Sequence, residues 1–442
     1  MKLFVYGLLL FVVLFQGCSH KQFQALDVEQ TFIEGFSDIP QDPKIYLQNY
    51  QDSKALKNAQ KNYKEKYYRI WLNSPRTSLY EAMWPHRAFT CKGKYYGINL
   101  KRVECSFFDK MYLRANFAHY MEVAKKALTT NAVNLRAFPT QKVLFRDPNR
   151  AGEGFPFDYL QNSLIAPNKP LFVSHLSDNK EWAFVFSSFG SGWVKTKDIV
   201  YINDSDAKVW MEAKQVYLLK DQKDIVDKEG FLFRLRIGMM LPLIKENKED
   251  YSVLVTSKKD IDIPVYKMIK ISKRYASKKP LLFTQKNIAT VLNELKTSQY
   301  GWGGMYEQRD CSATMRDFFA PFGIWLGRNS SVQARVGKVF SVLKLDSKQK
   351  IATIEQNAVP FETMLYRKGH IVLYVGKYND KIIVFQNMWG IKTTDGKKSG
   401  RFVIGRSVFS TLEIGKNLSY YDPTSSFIQK MRSFNIVTQT KD

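Results

Sequence analysis

The spacing of hydrophobic residues changes along the chain and divides it into regions. Before about residue 134, apolar positions recur with helical spacing, as in SKALKNAQKNYKEKYYRIWL (53–72) and DKMYLRANFAHYMEVAKKAL (109–128). In the first of these segments, Leu56, Tyr63 and Tyr67 fall near one face of a helix. The pattern therefore predicts a helical, partly irregular N-terminal region.

Short runs in which polar and apolar residues alternate follow, up to about residue 277. Two groups of such runs contain PLFVSHL with WAFVFSS (170–188) and KQVYLLKD with DYSVLVTS (214–257), and Gly, Pro, Asn and Asp separate the runs. Several short strands at close spacing, with turn residues between them, predict a small β-barrel. The two groups predict two barrels in tandem.

A third pattern begins at about residue 282. A helical QKNIATVLNELKTS (285–298) is followed by a glycine-rich turn, a second helix and two strands, RKGHIVLYVGKY (367–378) and KIIVFQNMWGIK (381–392). Helices followed by a sheet are typical of an α+β domain. The segment after Tyr420, which contains Pro423, is interpreted as a peripheral tail.

The N-terminus reads MKLFVYGLLLFVVLFQGCSH. Its apolar run from Leu3 to Phe15 is short for a spanning helix and has the length of a signal-peptide core. A small residue directly before Cys18 resembles the lipobox of bacterial lipoproteins, although Phe15 stands where that pattern usually has leucine. The resemblance implies that Cys18 is lipidated. An uncleaved membrane anchor is the alternative, and both readings place the rest of the chain outside the cytoplasm.

The other cysteines are Cys91, Cys105 and Cys311. Cys91 and Cys105 are close enough in sequence to bridge a short loop, and disulfides persist outside the cytoplasm. Two reduced, buried cysteines are an equally open alternative. Cys311 is left as a free thiol in an exported protein, which calls for a functional reason.

The composition is strongly basic, with a formal net charge of +26. A positive field favours anionic partners: nucleic acid, acidic lipid headgroups or a carboxylate-rich wall polymer. Export makes nucleic acid the weakest of these, and the basic residues lack the regular interleaving with aromatic residues that a single-strand groove has. We therefore expect no nucleic acid partner. A solvated basic surface without a specific partner is the alternative.

The stretch YGWGGMYEQRDCSATMRDFF (300–319) places Cys311 between a glycine-rich turn and a helix. A thiol attacks a carbonyl efficiently as thiolate, and its pKa falls at a helix N-terminus or beside an imidazolium. We therefore expect Cys311 to lie in the positive end of the helix dipole, with a lowered pKa. Gly301, Gly303 and Gly304 are expected to let the preceding loop pass close to a substrate.

A nucleophilic cysteine needs a base, and His370 begins the strand HIVLYVG in the same predicted domain. The next strand ends in VFQNMWG, so Gln386 or Asn387 could hold the imidazole in the required tautomer. Cys, then His, then an amide side chain is the order seen in papain-like proteases. Taken singly, a buried hydrophobic cysteine and a satisfied core histidine are the alternatives.

At these residues the sequence resembles the NlpC-type papain-like cell-wall peptidases. The motifs that carry the resemblance are Tyr300, Trp302-Gly303-Gly304, Asp310-Cys311-Ser312, Gly369-His370-Ile371 and Gln386. The resemblance implies Cys311 as nucleophile, His370 as base and Gln386 as its orienting partner, with Tyr300 near the oxyanion. Two positions depart from the family pattern: Ala313 replaces the usual glycine, and Gln386 stands where many members have a second histidine.

The similarity extends upstream. NAVNLRAFPT and SHLSDNKEWAFVFSSFGSGWVKTKDI look like the first barrel of the subgroup that carries two bacterial SH3-like domains. The implied fold is α+β and multidomain, with a helical N-terminal region, two small SH3-like β-barrels and a C-terminal papain-like α+β catalytic domain. The predicted domains are a lipoprotein signal peptide at 1–17, the helical N-terminal region at 18–134, the first SH3-like barrel at 135–205, the second at 206–277, the papain-like cysteine peptidase domain at 278–425 and a tail at 426–442.

Within that family the implied reaction is hydrolysis of the amide between γ-D-Glu and diaminopimelate in peptidoglycan stem peptides, by thiolate attack and an acyl-enzyme. In related enzymes the acidic residue before the cysteine binds the free amine of an N-terminal L-Ala. Asp310 stands at that position, with a helix N-cap as its alternative role. Tyr300 and Ser312 are grouped with it as oxyanion or substrate contacts. Loops of the first barrel close one end of the groove in this architecture, which makes the region around Phe157 to Gln161 a candidate wall. Asp158 and Tyr159 are the residues to test, with a core position as the alternative for the tyrosine.

The expected partners follow from these features. Peptidoglycan stem peptides are the substrate, and a lipid on Cys18 anchors a monomeric periplasmic protein to the membrane. Ser19 is compatible with sorting to the outer membrane. Thiol chemistry needs no cofactor, and the sequence has no ligand cluster with zinc spacing. Two alternatives stay open: a catalytically idle wall-binding scaffold lipoprotein, and acyl transfer to an amine in place of water.

Overall fold

The structure is a computed structural model that describes residues 32–48, 50–53 and 59–439. The predicted signal peptide and Cys18 lie outside the described residues. The α-helices are α1 Pro43–Leu47, α2 Ala59–Leu72, α3 Leu79–Ala82, α4 Trp84–Ala88, α5 Cys105–Ala115, α6 Asp204–Glu212, α7 Gln285–Leu295, α8 Cys311–Phe319, α9 Ser330–Gln333, α10 Ser347–Asn357 and α11 Phe427–Lys430.

The β-strands are β1 Lys125–Thr129, β2 Val133–Arg136, β3 Gln161–Ile165, β4 Pro170–Leu176, β5 Trp182–Ser187, β6 Ser191–Lys195, β7 Ile199–Tyr201, β8 Gln215–Leu218, β9 Asp224–Asp227, β10 Gly230–Arg234, β11 Met240–Glu246, β12 Asp250–Asp260, β13 Ile263–Ser272, β14 Ala276–Ser277, β15 Lys338–Ser341, β16 Thr363–Arg367, β17 His370–Tyr378, β18 Lys381–Thr394, β19 Ser399–Thr411 and β20 Met431–Ile436.

Helix α2 packs between the two barrels, with Tyr67 in its buried face. The indole Nε1 of Trp71 donates a hydrogen bond to the carbonyl of Leu171 in β4 at 2.8 Å. The hydroxyl of Tyr68 donates to the side chain of Gln215 in β8 at 3.2 Å. The N-terminal region therefore joins the two barrels.

The second predicted helix, 109–128, is shorter than expected. Helix α5 ends at Ala115, where Asn116 adopts a left-handed backbone conformation with φ 49°, and the chain then enters β1. Strand β1 pairs with β4 and β7 in a seven-stranded sheet of order β3-β2-β6-β5-β4-β1-β7. The first barrel therefore begins at Lys125, earlier than the predicted boundary at 135, because the partners of β1 are distant in sequence.

The second barrel contains a five-stranded antiparallel sheet of order β13-β12-β11-β8-β14 and a separate hairpin of β9 and β10. Its core, which includes Val216, Leu241 and Val253, is continuous with the core around α2. The two predicted barrels are thus present, packed against one shared helix.

The C-terminal domain has a six-stranded sheet of order β15-β20-β16-β17-β18-β19. Helix α8 packs on this sheet, and Met315 and Phe318 share one buried cluster with Ile371 and Leu373 of β17. Strand β20 pairs with both β15 and β16 and buries Phe434. The segment 426–442 was predicted to be a tail, yet β20 within it is an interior strand of the catalytic sheet.

The described residues contain neither a membrane-spanning helix nor a cluster of metal-binding side chains. Within residues 32–48, 50–53 and 59–439, no helix is both long and apolar enough to cross a membrane. The same part of the chain contains no group of three or more His, Cys, Asp and Glu side chains that could hold a metal ion.

Candidate active site

Cys311 is the first residue of α8, and Asp310 caps that helix. One carboxylate oxygen of Asp310, Oδ1, accepts the backbone N–H of Ala313 at 2.8 Å, as an N-cap does. The thiol of Cys311 accepts the backbone N–H of Ile371, which directly follows His370. Cys311 itself is 8% exposed. The fold therefore places the sulfur against the start of β17, at the residue that follows His370 in sequence.

His370 and Gln386 lie on neighbouring strands, β17 and β18. The imidazole Nε2 of His370 lies 2.7 Å from Oε1 of Gln386. The amide Nε2 of Gln386 donates to the hydroxyl of Ser410 at 2.7 Å, and that hydroxyl donates onward to the carbonyl of Thr411. Because Ser410 uses its proton on Thr411, it can only accept from Gln386, so the amide oxygen faces the imidazole. Nε2 of His370 then carries the proton, and Nδ1 is free to accept one.

The site favours neutral forms of both reacting groups. Burial, followed by the neighbouring Asp310 carboxylate, raises the pKa of the Cys311 thiol to about 12. Burial, followed by the charge of Arg367, lowers the pKa of His370 to about 4. The expected lowering of the thiol pKa at the helix N-terminus is wrong, because burial and Asp310 act in the opposite direction. A neutral thiol and a neutral imidazole can act as nucleophile and base only if a proton passes from one to the other.

The carboxylate of Asp310 is fully engaged. Oδ1 also accepts from the hydroxyl of Ser312 at 3.1 Å, and Oδ2 accepts the backbone N–H of Gly303 at 3.2 Å. The guanidinium of Arg328 pairs with both oxygens and donates to the Ser312 hydroxyl at 2.7 Å. Burial alone would raise the pKa of Asp310, but the charge of Arg328 outweighs it and holds that pKa below its ordinary value. Asp310 and Ser312 thus form a buried ion-pair cluster with Arg328.

The glycine turn contacts the first barrel. Gly303 and Gly304 have φ values of 58° and 83°, in the region that favours glycine. A Cβ on Gly303 would lie 2.5 Å from the carbonyl oxygen of Gln161, and one on Gly304 would lie 2.5 Å from the side chain of Leu164. We expected these glycines to admit a substrate; they instead admit β3 of the barrel.

The two predicted wall residues, Asp158 and Tyr159, lie in different surroundings. The carboxylate of Asp158 is fully buried, pairs with Arg136 at 2.6 Å and accepts the backbone N–H of Leu144. It therefore holds its own loop together, although its carbonyl accepts the indole N–H of Trp302 at 2.9 Å. Tyr159 is half-buried, with the guanidinium of Arg146 4.6 Å from its ring centre. Neither lines the cleft.

A cleft of about 230 Å³ opens beside His370 and Gln386. Phe157 of the first barrel forms one wall, with its ring 5.1 Å from that of Trp302 and 6.5 Å from that of Tyr300. Tyr300 in turn lies 5.9 Å from Trp389 of β18, ring centre to ring centre. Burial, followed by the proximity of Cys311, raises the pKa of the Tyr300 hydroxyl well above its ordinary value. Tyr300 thus stays protonated close to the thiol.

Comparison with known families agrees with this arrangement. Residues 297–398 match the NlpC/P60 family. The C-terminal domain belongs to the NlpC/P60 family. The other matches are the NLPC_P60 stabilising domain (N term) at 7–120, an SH3 domain of SH3b1 type at 144–195 and an SH3 domain of SH3b2 type at 203–248. The protein is therefore a peptidase of the cell-wall type with two SH3-like domains.

One solved structure shows the same fold. An NlpC/P60 endopeptidase from Photobacterium damselae subsp. piscicida is similar, with a TM-score of 0.79 and 22% identity over 91% of this chain and 98% of that chain. An NlpC/P60 family protein from Bacillus cereus ATCC 10987 matches with a TM-score of 0.46 and 13% identity over 70% of this chain and 98% of that chain. No curated protein matches the chain. The Photobacterium likeness supports the whole domain arrangement.

Buried ion pairs tie the NlpC/P60 domain to the second barrel, and sequence reasoning missed them. The guanidinium of Arg309 binds both oxygens of Asp221, at 2.5 and 2.7 Å, and donates from Nε to Asp317 at 2.8 Å. Arg236 of the second barrel also binds Asp317 at 3.1 Å. The only sequence signal for these ion pairs is Arg309, a charged residue next to the Asp-Cys-Ser motif. Its partner Asp221 lies in another domain and could not be identified from the sequence.

The cysteines of the described chain fall into two classes. Cys91 and Cys105 are joined in a disulfide that fixes the start of α5. Cys311 is the free cysteine among the described residues, as expected for the nucleophile of an NlpC/P60 domain. The structure leaves the predicted lipidation at Cys18 as a prediction, since that residue is outside the described part.

Proposed function

We propose that this protein is a DL-endopeptidase that hydrolyses the amide between γ-D-Glu and diaminopimelate in peptidoglycan stem peptides. The observation that carries the proposal is the placement of the Cys311 thiol against Ile371, beside the imidazole that Gln386 orients. NlpC/P60 and SH3b domains in one chain favour a cell-wall substrate.

The proposed reaction begins with proton transfer. Nδ1 of His370 takes the thiol proton as the sulfur of Cys311 attacks the γ-carbonyl carbon. The backbone N–H at the start of α8 and the hydroxyl of Tyr300 stabilise the resulting oxyanion. His370 then gives its proton to the departing amine of diaminopimelate, and the C–N bond breaks. A water deprotonated by His370 attacks the thioester, releasing the acid and restoring the thiol.

The hydrogen bonds of the Asp310 carboxylate bear on whether the substrate needs a free N-terminal amine. A carboxylate that receives a free ammonium group needs an unoccupied oxygen, whereas both oxygens of Asp310 already accept from Arg328 and the backbone. We therefore propose that cleavage does not require a free amine on L-Ala. Stem peptides still attached to the glycan then qualify as substrates, as does released peptide.

We further propose where the protein acts and that it acts as a monomer. Export as a monomer, with a lipid on Cys18 that anchors it at the periplasmic face of the outer membrane, would bring the domain to the wall. The positive net charge of +26 suits a polymer rich in carboxylates.

The test is mass spectrometry of L-Ala-γ-D-Glu-diaminopimelate tripeptide and of purified wall. Each is incubated with the chain from Ser19 onward and with its Cys311→Ala variant. We expect release of L-Ala-γ-D-Glu from the tripeptide by the unmodified chain alone. Intact substrates with retained wall binding would favour the idle scaffold, and products linked to an added amine would favour acyl transfer.

A further inference from the structure

Two arginines line the cleft without a carboxylate partner. Arg367, at the end of β16, and Arg401, on β19, both reach the cleft beside His370. The Nε atom of each is buried and has no hydrogen-bond partner. Arg367 donates from Nη1 to the carbonyl of Ser425 at 3.0 Å, which leaves most of its donors unused.

Arg367 and Arg401 are half-buried, whereas the arginines of the described chain that are buried or nearly so are paired with aspartates. These pairs are Arg136 with Asp158, Arg236 with Asp317, Arg309 with Asp221 and Arg328 with Asp310. A buried charge is costly unless it is paired and hydrogen-bonded, so the paired state is the stable one. Arg367 and Arg401 therefore stand out as guanidinium groups that lack an anion.

The surroundings of the two arginines are positive. Burial and then the charge of Arg401 lower the pKa of Arg367, so the two guanidinium groups repel each other. Lys392, a third cation that lines the cleft, is neutralised by Asp422 at 2.7 Å. Among the described residues that line the cleft, none is Asp or Glu. The cleft therefore presents unbalanced positive charge next to the catalytic histidine.

We propose that Arg367 and Arg401 together bind a carboxylate of the substrate next to the scissile amide. The proposal rests on the stem-peptide function proposed above and adds two specificity-determining residues to it. A planar guanidinium matches a carboxylate with two parallel hydrogen bonds, and a carboxylate would supply acceptors for the unused donors. Two groups of the stem peptide that the test can remove have this chemistry: the α-carboxylate of γ-D-Glu and the carboxylate at the far end of the diaminopimelate side chain. The C-terminal carboxylate of the tripeptide is common to all the peptides compared below.

The test separates binding from cleavage by using the Cys311→Ala chain from Ser19 onward in calorimetric titrations. Three tripeptides are compared: L-Ala-γ-D-Glu-diaminopimelate, the same peptide with D-isoglutamine, whose α-carboxylate is an amide, and the same peptide with L-Lys in place of diaminopimelate. Arg367→Gln and Arg401→Gln are added singly to the binding chain. Arg406→Gln, an exposed arginine on the same strand as Arg401, is the matched control.

We expect the first peptide to bind about 10–100-fold more tightly than one of the two altered peptides, as the loss of a charge-assisted pair predicts. Weak isoglutamine binding identifies the glutamate carboxylate, and weak lysine binding identifies the diaminopimelate carboxylate. Each Arg→Gln variant should bind the first peptide as weakly as the chain binds the altered one, and should no longer discriminate between them. Arg406→Gln should leave the discrimination intact.

Equal affinity for all three peptides, or no binding of any, overturns the proposal. Variants that weaken binding but keep the full discrimination overturn it as well, because that result assigns the arginines a structural role. Failure of the proposed function gives a different result. The binding chain then still prefers the peptide that carries the carboxylate, but the unmodified chain does not cleave the tripeptide.

Discussion

The Nε2 atom of His370 lies 2.7 Å from the side-chain oxygen of Gln386, and this contact decides which imidazole nitrogen can act as the base. Ser410 fixes the orientation of the Gln386 amide from behind, at 2.7 Å. A glutamine thus performs the orienting role without adding a charge to a buried site. The departure from the second histidine of many relatives keeps the geometry that the base requires.

The Gln386 contact can be tested by substitution. We expect Gln386→Leu to lower kcat by about 100-fold with little change in KM, because the imidazole loses the acceptor that selects its tautomer. Ser410→Ala should lower kcat by roughly 10-fold, since the amide is then free to rotate. Ser407→Ala, a buried hydroxyl on the same strand that has no hydrogen-bond partner, is the matched control. Steady-state kinetics on the tripeptide give both constants; an unchanged kcat in Gln386→Leu would remove Gln386 from the mechanism.

The pH dependence follows from the two shifted groups. The pKa of His370 is lowered to about 4 and that of Cys311 is raised to about 12. Catalysis needs a neutral imidazole, so kcat/KM should fall as His370 gains its proton near pH 4 and stay level through neutral pH. A pH profile of kcat/KM on the tripeptide measures this. A bell-shaped profile with a limb near the ordinary histidine pKa would contradict a neutral pair and favour a thiolate–imidazolium pair.

Because both carboxylate oxygens of Asp310 are already hydrogen-bonded, we expect the protein to cleave a peptide whose N-terminal amine is blocked. We expect N-acetyl-L-Ala-γ-D-Glu-diaminopimelate to be cleaved within about 3-fold of the kcat/KM of the free peptide, a difference well below one charge-assisted hydrogen bond. Competition between the two peptides, followed by mass spectrometry, measures the ratio directly. Loss of more than about 30-fold on acetylation would show that an acidic group still receives the ammonium.

The contact between the glycine turn and the first barrel predicts a matched pair of substitutions. Gly304→Ala and Gly396→Ala both force a side chain into positive φ, 83° and 87°, but only the first meets a neighbour, Leu164. The conformational cost of about 1–2 kcal/mol is common to both. We expect Gly304→Ala to lower the free energy of unfolding by roughly 1–3 kcal/mol more, because of the overlap. Urea unfolding measures the difference; equal losses would mean that the barrel moves away at no cost.

The sequence predicts the catalytic residues better than their surroundings. His370 and Gln386 are in contact on neighbouring strands, and Cys311 begins the helix whose thiol meets Ile371, so the elements that carry these residues follow the predicted order; their catalytic roles stay a prediction. Strand β20 escaped prediction since its partners, β15 and β16, are distant in sequence. Phe157, at the start of the predicted wall region, lines the cleft, whereas the two residues singled out for testing, Asp158 and Tyr159, do not.

Electrostatics was the hardest property to predict. A helix N-terminus indicated a lowered thiol pKa, while burial and the adjacent carboxylate raise it. The partner of Asp310 is Arg328, which no local motif marks. Ion pairs such as these form between residues that are distant in sequence and meet only when the chain packs. No periodic pattern in the local sequence indicates such partners.

The bidentate ion pair between Arg309 and Asp221 couples the peptidase domain to the second barrel, so the two domains are not independent units. Arg309 directly precedes Asp310, which caps the nucleophile helix, so one end of the catalytic motif is fastened to the second barrel. Excising the peptidase domain would remove Asp221, one of the two carboxylates that pair with the buried Arg309, and leave Asp317 as the partner of this cation two residues from Cys311. A hybrid that joins this peptidase domain to a barrel without the aspartate would therefore need a compensating change at Arg309.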